Sequence, residues 1–425
     1  MSTPDAGRRR WPRTLLRSGV VAAGATAAVT HAPSSMATLL LPAASPFLAL
    51  GGAVAARSVH LALILAIPVA VLAVLRGRWL CRNVCPTGYL LDQAARLRPA
   101  ARTRYRTFPS LGRWLVLATL GGAAFGWPVF LWMDPLSFFN AFFGGPVATG
   151  LEAVGLPVRR VLPWGMAAVA GALLPLVILL SAWRPHLWCQ RLCPLGATQD
   201  LLGEAGRAVG RLRRRRVLAV RSPGMDRRSL LALLAGGAAG VVVTGAARTG
   251  ASLLEPRSAP IRPPGSVLES RLSAVCARCG ACLRACPEGI IHPALLEAGP
   301  LGLWTPVLRF GPSYCSEACH ACNQVCPTGA IATTGLETKR RIALGFAVVY
   351  ADLCLAFAEG RECMVCQEYC PFRAIEIETV DGRRGPVVSE ALCRGCGLCQ
   401  VVCPASPIAI VVEGRPQRIL DPVDL

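Results

Sequence analysis

Acidic residues are scarce at the start of this chain. The first 253 residues hold 7 Asp and Glu against 29 Lys and Arg, whereas from Leu254 onward 17 stand against 16. The net charge of +21 is therefore carried by the first part. A one-sided excess made wholly of arginine fits the flanks of membrane helices better than a nucleic-acid surface. Histidine is also rare, with 5 in 425 residues, and no Cys-x-x-Cys-His run exists, which excludes that form of covalent haem attachment. Cys319-His320 in ACHAC has the wrong spacing. Well-separated C-x2-C pairs of the zinc type are missing. Residues 271–425 lack a long apolar run, so any membrane span must precede them.

Cysteine, by contrast, is abundant: 20 residues in an ordered pattern. Two stretches repeat C-x3-C-P-x-G-x3-D, with Cys81, Cys85, Pro86, Gly88 and Asp92 matched by Cys189, Cys193, Pro194, Gly196 and Asp200. Residues i and i+4 share a helix face, and a proline ends or bends that turn. Each pair can thus present two thiols. Four thiolates from the two pairs would suffice for a [4Fe–4S] cluster. A redox dithiol or zinc site and a structural or assembly role are the alternatives.

The chain averages 53% hydrophobic residues, which points to membrane spans. Five apolar runs standing between charges approach the roughly 20 residues a span needs: about 15–32, 58–75, 114–133, 161–183 and 229–247. The prolines of 33–56 make that stretch an outer loop or re-entrant segment. Arginines before the first run, from Arg76 through Arg113 and from Arg184 through Arg228 put those flanks inside. The expectation is a multi-pass protein of the bacterial inner membrane. Its N-terminus and both C-x3-C-P motifs would be cytoplasmic, and everything after the fifth span periplasmic. Arg227-Arg228 before an Ala/Gly-rich apolar run has the form of a twin-arginine export signal, with an ordinary basic flank as the plain alternative.

The expected fold is an α-helical membrane domain of about five transmembrane helices plus an α+β ferredoxin-like domain with two dicluster modules. The divisions are 1–224 for the membrane domain, 225–248 for the signal or anchor helix, 249–270 for a Pro/Gly-rich linker and 271–425 for the ferredoxin part.

Sixteen cysteines form four blocks, each closed by Cys-Pro: Cys276, Cys279, Cys282, Cys286; Cys315, Cys319, Cys322, Cys326; Cys354, Cys363, Cys366, Cys370; and Cys393, Cys396, Cys399, Cys403. The first and fourth follow the bacterial ferredoxin run C-x2-C-x2-C-x3-C-P. In that run three cysteines hold one cubane and the fourth reaches its partner. The spacing points to four [4Fe–4S] clusters, which pass single electrons. Residues 370–399 read as strand, turn at Asp381-Gly382, strand and next loop. That pairs blocks three and four and leaves one with two, although one-with-four and two-with-three stays open. No acid–base constellation, nucleophile or substrate-binding loop accompanies the cysteines, so an electron-transfer component is expected rather than a stand-alone enzyme.

On these motifs, residues 225–425 resemble the MauM/NapG-type four-cluster ferredoxins. Residues 10–205 resemble the membrane part of NapH/MauN/NosR-type proteins, which are marked by two C-x3-C-P motifs. The resemblance implies electron flow from the quinol pool to a periplasmic oxidoreductase or cytochrome, nitrate reductase-like or similar. Its alternative is an accessory or maturation donor to an enzyme such as methylamine dehydrogenase. The separate cytoplasmic ferredoxin motifs of NapH-type proteins are missing here. His31 and His60 could hold a haem, or could border a quinol pocket with Asp134. Interfacial histidines and a capped loop are the plain alternatives.

Overall fold

The computed structural model describes residues 11–29, 37–57, 61–97, 110–156, 158, 164–217, 235, 238, 240–242, 245–246, 249, 259–380 and 382–420. The first part is helical: α1 (Trp11–Val29), α2 (Ala37–Ala43), α3 (Pro46–Ala56), α4 (Leu61–Arg76), α5 (Trp79–Asn83), α6 (Pro86–Ala95), α7 (Leu111–Ala124), α8 (Pro135–Phe142), α9 (Ala148–Ala153), α10 (Trp164–Gly171), α11 (Leu173–Trp183) and α12 (Pro194–Val217). Their shared core includes Phe47, Leu48, Leu131, Leu136, Phe139 and Leu174.

This architecture overturns the five-span expectation. Among the described residues no helix is long and apolar enough to cross a membrane. The run at 15–32 yields α1, which carries Arg13 and Arg17. The run at 58–75 yields sixteen-residue α4 with Pro68 inside it. The run at 114–133 stops at Ala124, and the chain turns through Gly126 at φ +82°. The run at 161–183 divides into α10 and α11. Residues 33–56, expected as an outer loop or re-entrant segment, supply α2 and α3, and Phe47 and Leu48 are buried. Most of 229–247 lies outside the described residues, as do Arg227-Arg228 just before it and His31 and His60. An apolar run is satisfied equally by several short helices packed together, provided prolines and glycines let the chain turn. Apolar side chains also remain on the outside, among them Ile64, Val71 and Leu75 on α4 and Leu176 and Leu179 on α11.

The inner-membrane arrangement falls with the spans. The helical and cysteine-rich parts are bonded directly to one another. Arg271 Nη2 donates to the Ala55 carbonyl at 3.0 Å, and Asn140 Nδ2 to the Cys279 carbonyl at 2.7 Å.

The cysteine-rich part contains three two-stranded antiparallel sheets: β1 (Ile291–Pro293) with β2 (Pro306–Leu308), β3 (Ile342–Val349) with β6 (Ile410–Ile419), and the hairpin β4 (Ile375–Val380) with β5 (Arg383–Val388). The hairpin stands where the sequence between blocks three and four anticipates it. Short helices at 281–285, 321–324, 365–368 and 398–402 each carry the third cysteine of a block.

Candidate functional site

All twenty cysteines are free thiols. Within the ferredoxin part they gather in fours, each set taking three cysteines from one block and the fourth from its partner block. Cys326 lies close enough to Cys276, Cys279 and Cys282 for their charges to oppose one another. Cys286 stands in the same relation to Cys315, Cys319 and Cys322. Cys370 joins Cys393, Cys396 and Cys399. Cys403 lines one small cavity with Cys354, Cys363 and Cys366. Block one is thereby paired with two, and three with four.

The loops explain the repeat. Gly280 and Gly397 adopt φ +73° and +86° at the helix starts, which turns the chain around the third cysteine. After the fourth, a backbone N–H folds back onto sulfur: Ile331 N to Cys326 Sγ and Ala374 N to Cys370 Sγ, both at 3.3 Å. Such bonds favour the thiolate. Burial opposes them, pushing Cys366 to about 11, Cys396 to about 12 and Cys282 and Cys322 well above the usual thiol range. Thiols so raised are protonated near neutral pH, and a bound metal centre would displace those protons.

The sets form a row. Cys282 lies within electrostatic reach of Cys322, Cys315 of Cys396 and Cys399 of Cys366. The two modules meet where Cys315 N donates to the Cys396 carbonyl at 2.9 Å. Among the described residues, no three His, Cys, Asp or Glu side chains converge closely enough to hold a single metal ion.

The four C-x3-C-P cysteines also come together. Cys81, Cys85, Cys189 and Cys193 line one cavity of about 690 Å³, and burial raises all four thiols, Cys81 to about 11 and Cys189 to about 12. The local geometry differs from a single i, i+4 helix face. Each pair spans a break: Cys85 and Cys193 sit between helical turns, and Pro86 and Pro194 begin the next helix, the position where proline is favoured. The repeat is matched atom by atom. Cys85 N bonds the Leu80 carbonyl and Cys193 N the Trp188 carbonyl, both at 2.8 Å. Gly88 N donates to Cys85 Sγ at 3.3 Å and Gly196 N to Cys193 Sγ at 3.4 Å. The motif aspartates hold arginines: Asp92 pairs with Arg17 at 2.6 Å, and Asp200 takes Arg78 at 2.8 and 2.6 Å. Arg78 also donates to the Cys189 carbonyl at 2.6 Å.

Sequence reasoning missed Arg78, Gln199, Trp188 and Asn140. Gln199 Nε2 donates to Cys81 Sγ at 3.1 Å. Trp188, which lines the cavity, has a buried indole N–H with no partner. Four thiols, N–H donors on their sulfurs, a spare N–H and surrounding arginines suit an anionic, sulfur-rich group. Asp134, for which the sequence left open a quinol-pocket border or a capped loop, is fully buried at the start of α8. It accepts from Leu136 N and Ser137 N at 3.0 Å and from Ser45 Oγ at 2.6 Å, which is the capped-loop alternative.

Crosswise-paired Cys-Pro loops of this form define a 4Fe–4S dicluster ferredoxin. The family profile described as "4Fe-4S dicluster domain" matches residues 275–330 and 361–406. A second, "4Fe-4S binding domain", matches 59–104 and 164–216, the stretches holding the two C-x3-C-P pairs. The chain is 36% identical to the methylamine utilization ferredoxin-type protein MauM of Methylorubrum extorquens, over 36% of this chain and 73% of that protein. It is 36% identical to the ferredoxin-type protein NapG of Escherichia coli, over 36% and 69%, and 37% identical to NapF of the same organism, over 35% and 82%. The chain belongs to the MauM/NapG family of ferredoxin-type iron–sulfur electron-transfer proteins. No comparison supports the membrane-domain resemblance expected for residues 10–205, and no solved structure matches.

Proposed function

We propose that this protein is a one-electron carrier holding four [4Fe–4S] clusters on the sixteen ferredoxin cysteines and a fifth on Cys81, Cys85, Cys189 and Cys193. The observation that carries this reading is the gathering of all twenty thiols into five sets of four. Clusters of this kind take up and release one electron at a time. The chain's own part is to bury the thiols, aim backbone N–H groups at their sulfurs and keep neighbouring sets adjacent. Its resemblance implies quinol as the source of electrons and a nitrate reductase-like or similar enzyme as their destination. The 36% identity to MauM favours a second reading, in which the electrons serve the maturation of a methylamine-oxidising enzyme.

The test is an anaerobic EPR-monitored redox titration of the full chain. Reversible one-electron signals that weaken in Cys399→Ser, with about four iron atoms lost per chain, are expected. Full retention of signal and iron in Cys399→Ser would sink the assignment.

A further inference from the structure

We infer that the C-x3-C-P site is wired directly to the first ferredoxin site, Cys276/Cys279/Cys282/Cys326, through the single helix α8. This rests on the five-cluster reading proposed above. Pro135 at the start of α8 lines the C-x3-C-P cavity, and its carbonyl accepts from Thr87 Oγ1 at 2.7 Å. Thr87 lies between Pro86 and Gly88 of the first motif. Five residues along the same helix, buried Asn140 donates to the carbonyl of Cys279 at 2.7 Å. At 1.5 Å per residue that is about 7.5 Å of helix. The sequence expectation placed a bilayer core of about 30 Å between the same two sites.

The space between them is packed. One continuous core contains Cys85, Cys193, Leu136, Phe138, Phe139 and Ala277. Trp188, next to Cys189, lies with its ring centroid 5.7 Å from that of Phe138. On the ferredoxin side Arg278, next to Cys279, sits with its guanidinium 5.4 Å over the Trp132 ring. The junction is thus a short helix packed in a largely apolar core and fastened at both ends by a buried hydrogen bond. It adds a fifth member to the row at its block-one end. The opposite end, at Cys363, borders a separate cavity of about 510 Å³ lined by Phe357, Arg361, Met364 and Arg383. With clusters held by Cys81/Cys85/Cys189/Cys193 and by Cys276/Cys279/Cys282/Cys326, α8 would let one electron pass from the first, reduced, to the second, oxidised. No bond breaks and no proton moves. The electron is replaced by an external one-electron donor, in the test reduced methyl viologen.

The test uses the full chain, reconstituted anaerobically, and its Cys81→Ser/Cys189→Ser variant. Two reduced clusters this close broaden each other's EPR signals and speed their relaxation. Removing the fifth cluster should cost about four iron atoms per chain, narrow the first-site signal and let it saturate at lower microwave power. Cys276→Ser identifies which signal belongs to the first site. Loss of about four iron atoms with an unchanged first-site signal would overturn the wiring and leave the carrier function standing. No loss of iron in the double variant would remove the fifth cluster and the wiring together, again leaving the four-cluster carrier. Should the double variant lose all its iron, the unaltered chain is titrated stepwise with reduced viologen. The first-site signal must then broaden as the fifth cluster is reduced, and a line shape indifferent to that step overturns the inference.

Discussion

Gly395→Ala tests how the fourth cysteine loop is built. Gly395 precedes Cys396 and has φ +63°, a conformation that costs an ordinary residue about 1–2 kcal/mol. A Cβ there would also lie 2.6 Å from both Gly345 N and Gly345 O. These are backbone atoms of β3, next to the irregularity between Ala343 and Gly345, and they cannot swing aside as a side chain could. Overpacking of this kind costs about 1–3 kcal/mol, for a total of about 2–5 kcal/mol. Arg278, at the equivalent place in block one, has φ +54°, so these loops tolerate a side chain in that conformation where there is room. The control is Gly382→Ala in the β4–β5 turn, where φ is +77° and a Cβ would meet nothing within 4 Å. It bears the conformational cost alone. Urea unfolding followed by visible cluster absorbance should show Gly395→Ala as the weaker variant by about 1–3 kcal/mol. Equal midpoints with equal slopes for the two variants would refute the close approach of block four to β3.

Arg78→Ala removes two bonds to Asp200 and one to the Cys189 carbonyl. Bonds to charged groups contribute about 1.5–3 kcal/mol, so a chelator should strip iron fastest from the C-x3-C-P site while the ferredoxin sites keep theirs. Arg78→Lys should recover only part, since lysine lacks the planar fork; site-resolved EPR during the challenge checks both. Burial pushes the Asp134 carboxyl up to about 6, against hydrogen bonds from Ser45 and two backbone N–H groups. A folded-state carboxyl raised above its unfolded value holds its proton longer in the native state, so stability falls as pH rises from about 4 to 6. The shift from 3.8 to about 6 corresponds to about 3 kcal/mol. Asp134→Asn should flatten that part of the pH–stability curve, measured by denaturant midpoints at a series of pH values.

The ferredoxin loops were legible in the sequence because their chemistry is local. Cysteine spacing, the closing proline and the αL glycines lie within about a dozen residues of one another. Pairing was readable where a hairpin joins the blocks directly, at residues 375–388, and less so for blocks one and two. The convergence of the C-x3-C-P pairs was suggested by the repeat, but its cause was misjudged. Pro86 and Pro194 start helices, and the matched glycine N–H groups and aspartate-held arginines shape the site. Hydropathy misled most. A window counts apolar residues without asking whether they form one long helix; Gly126 and the break after Gly171 interrupt two of the runs, and the run around Pro68 gives a helix of only sixteen residues. The arginine excess was read as membrane flanks, yet Arg17, Arg78 and Arg113 are paired with Asp92, Asp200 and Glu204 inside the helical part. Asn140 gave no signal at all, since its role depends on a carbonyl 139 residues away.

The most direct measurement is iron and acid-labile sulfide per chain in anaerobically prepared protein, with Mössbauer spectra to identify the iron. Five four-thiol sets predict about twenty iron and twenty sulfide per chain, all in cubane form. Stoichiometric zinc in place of iron, or iron in fewer than five cubanes after full reconstitution, would contradict the account.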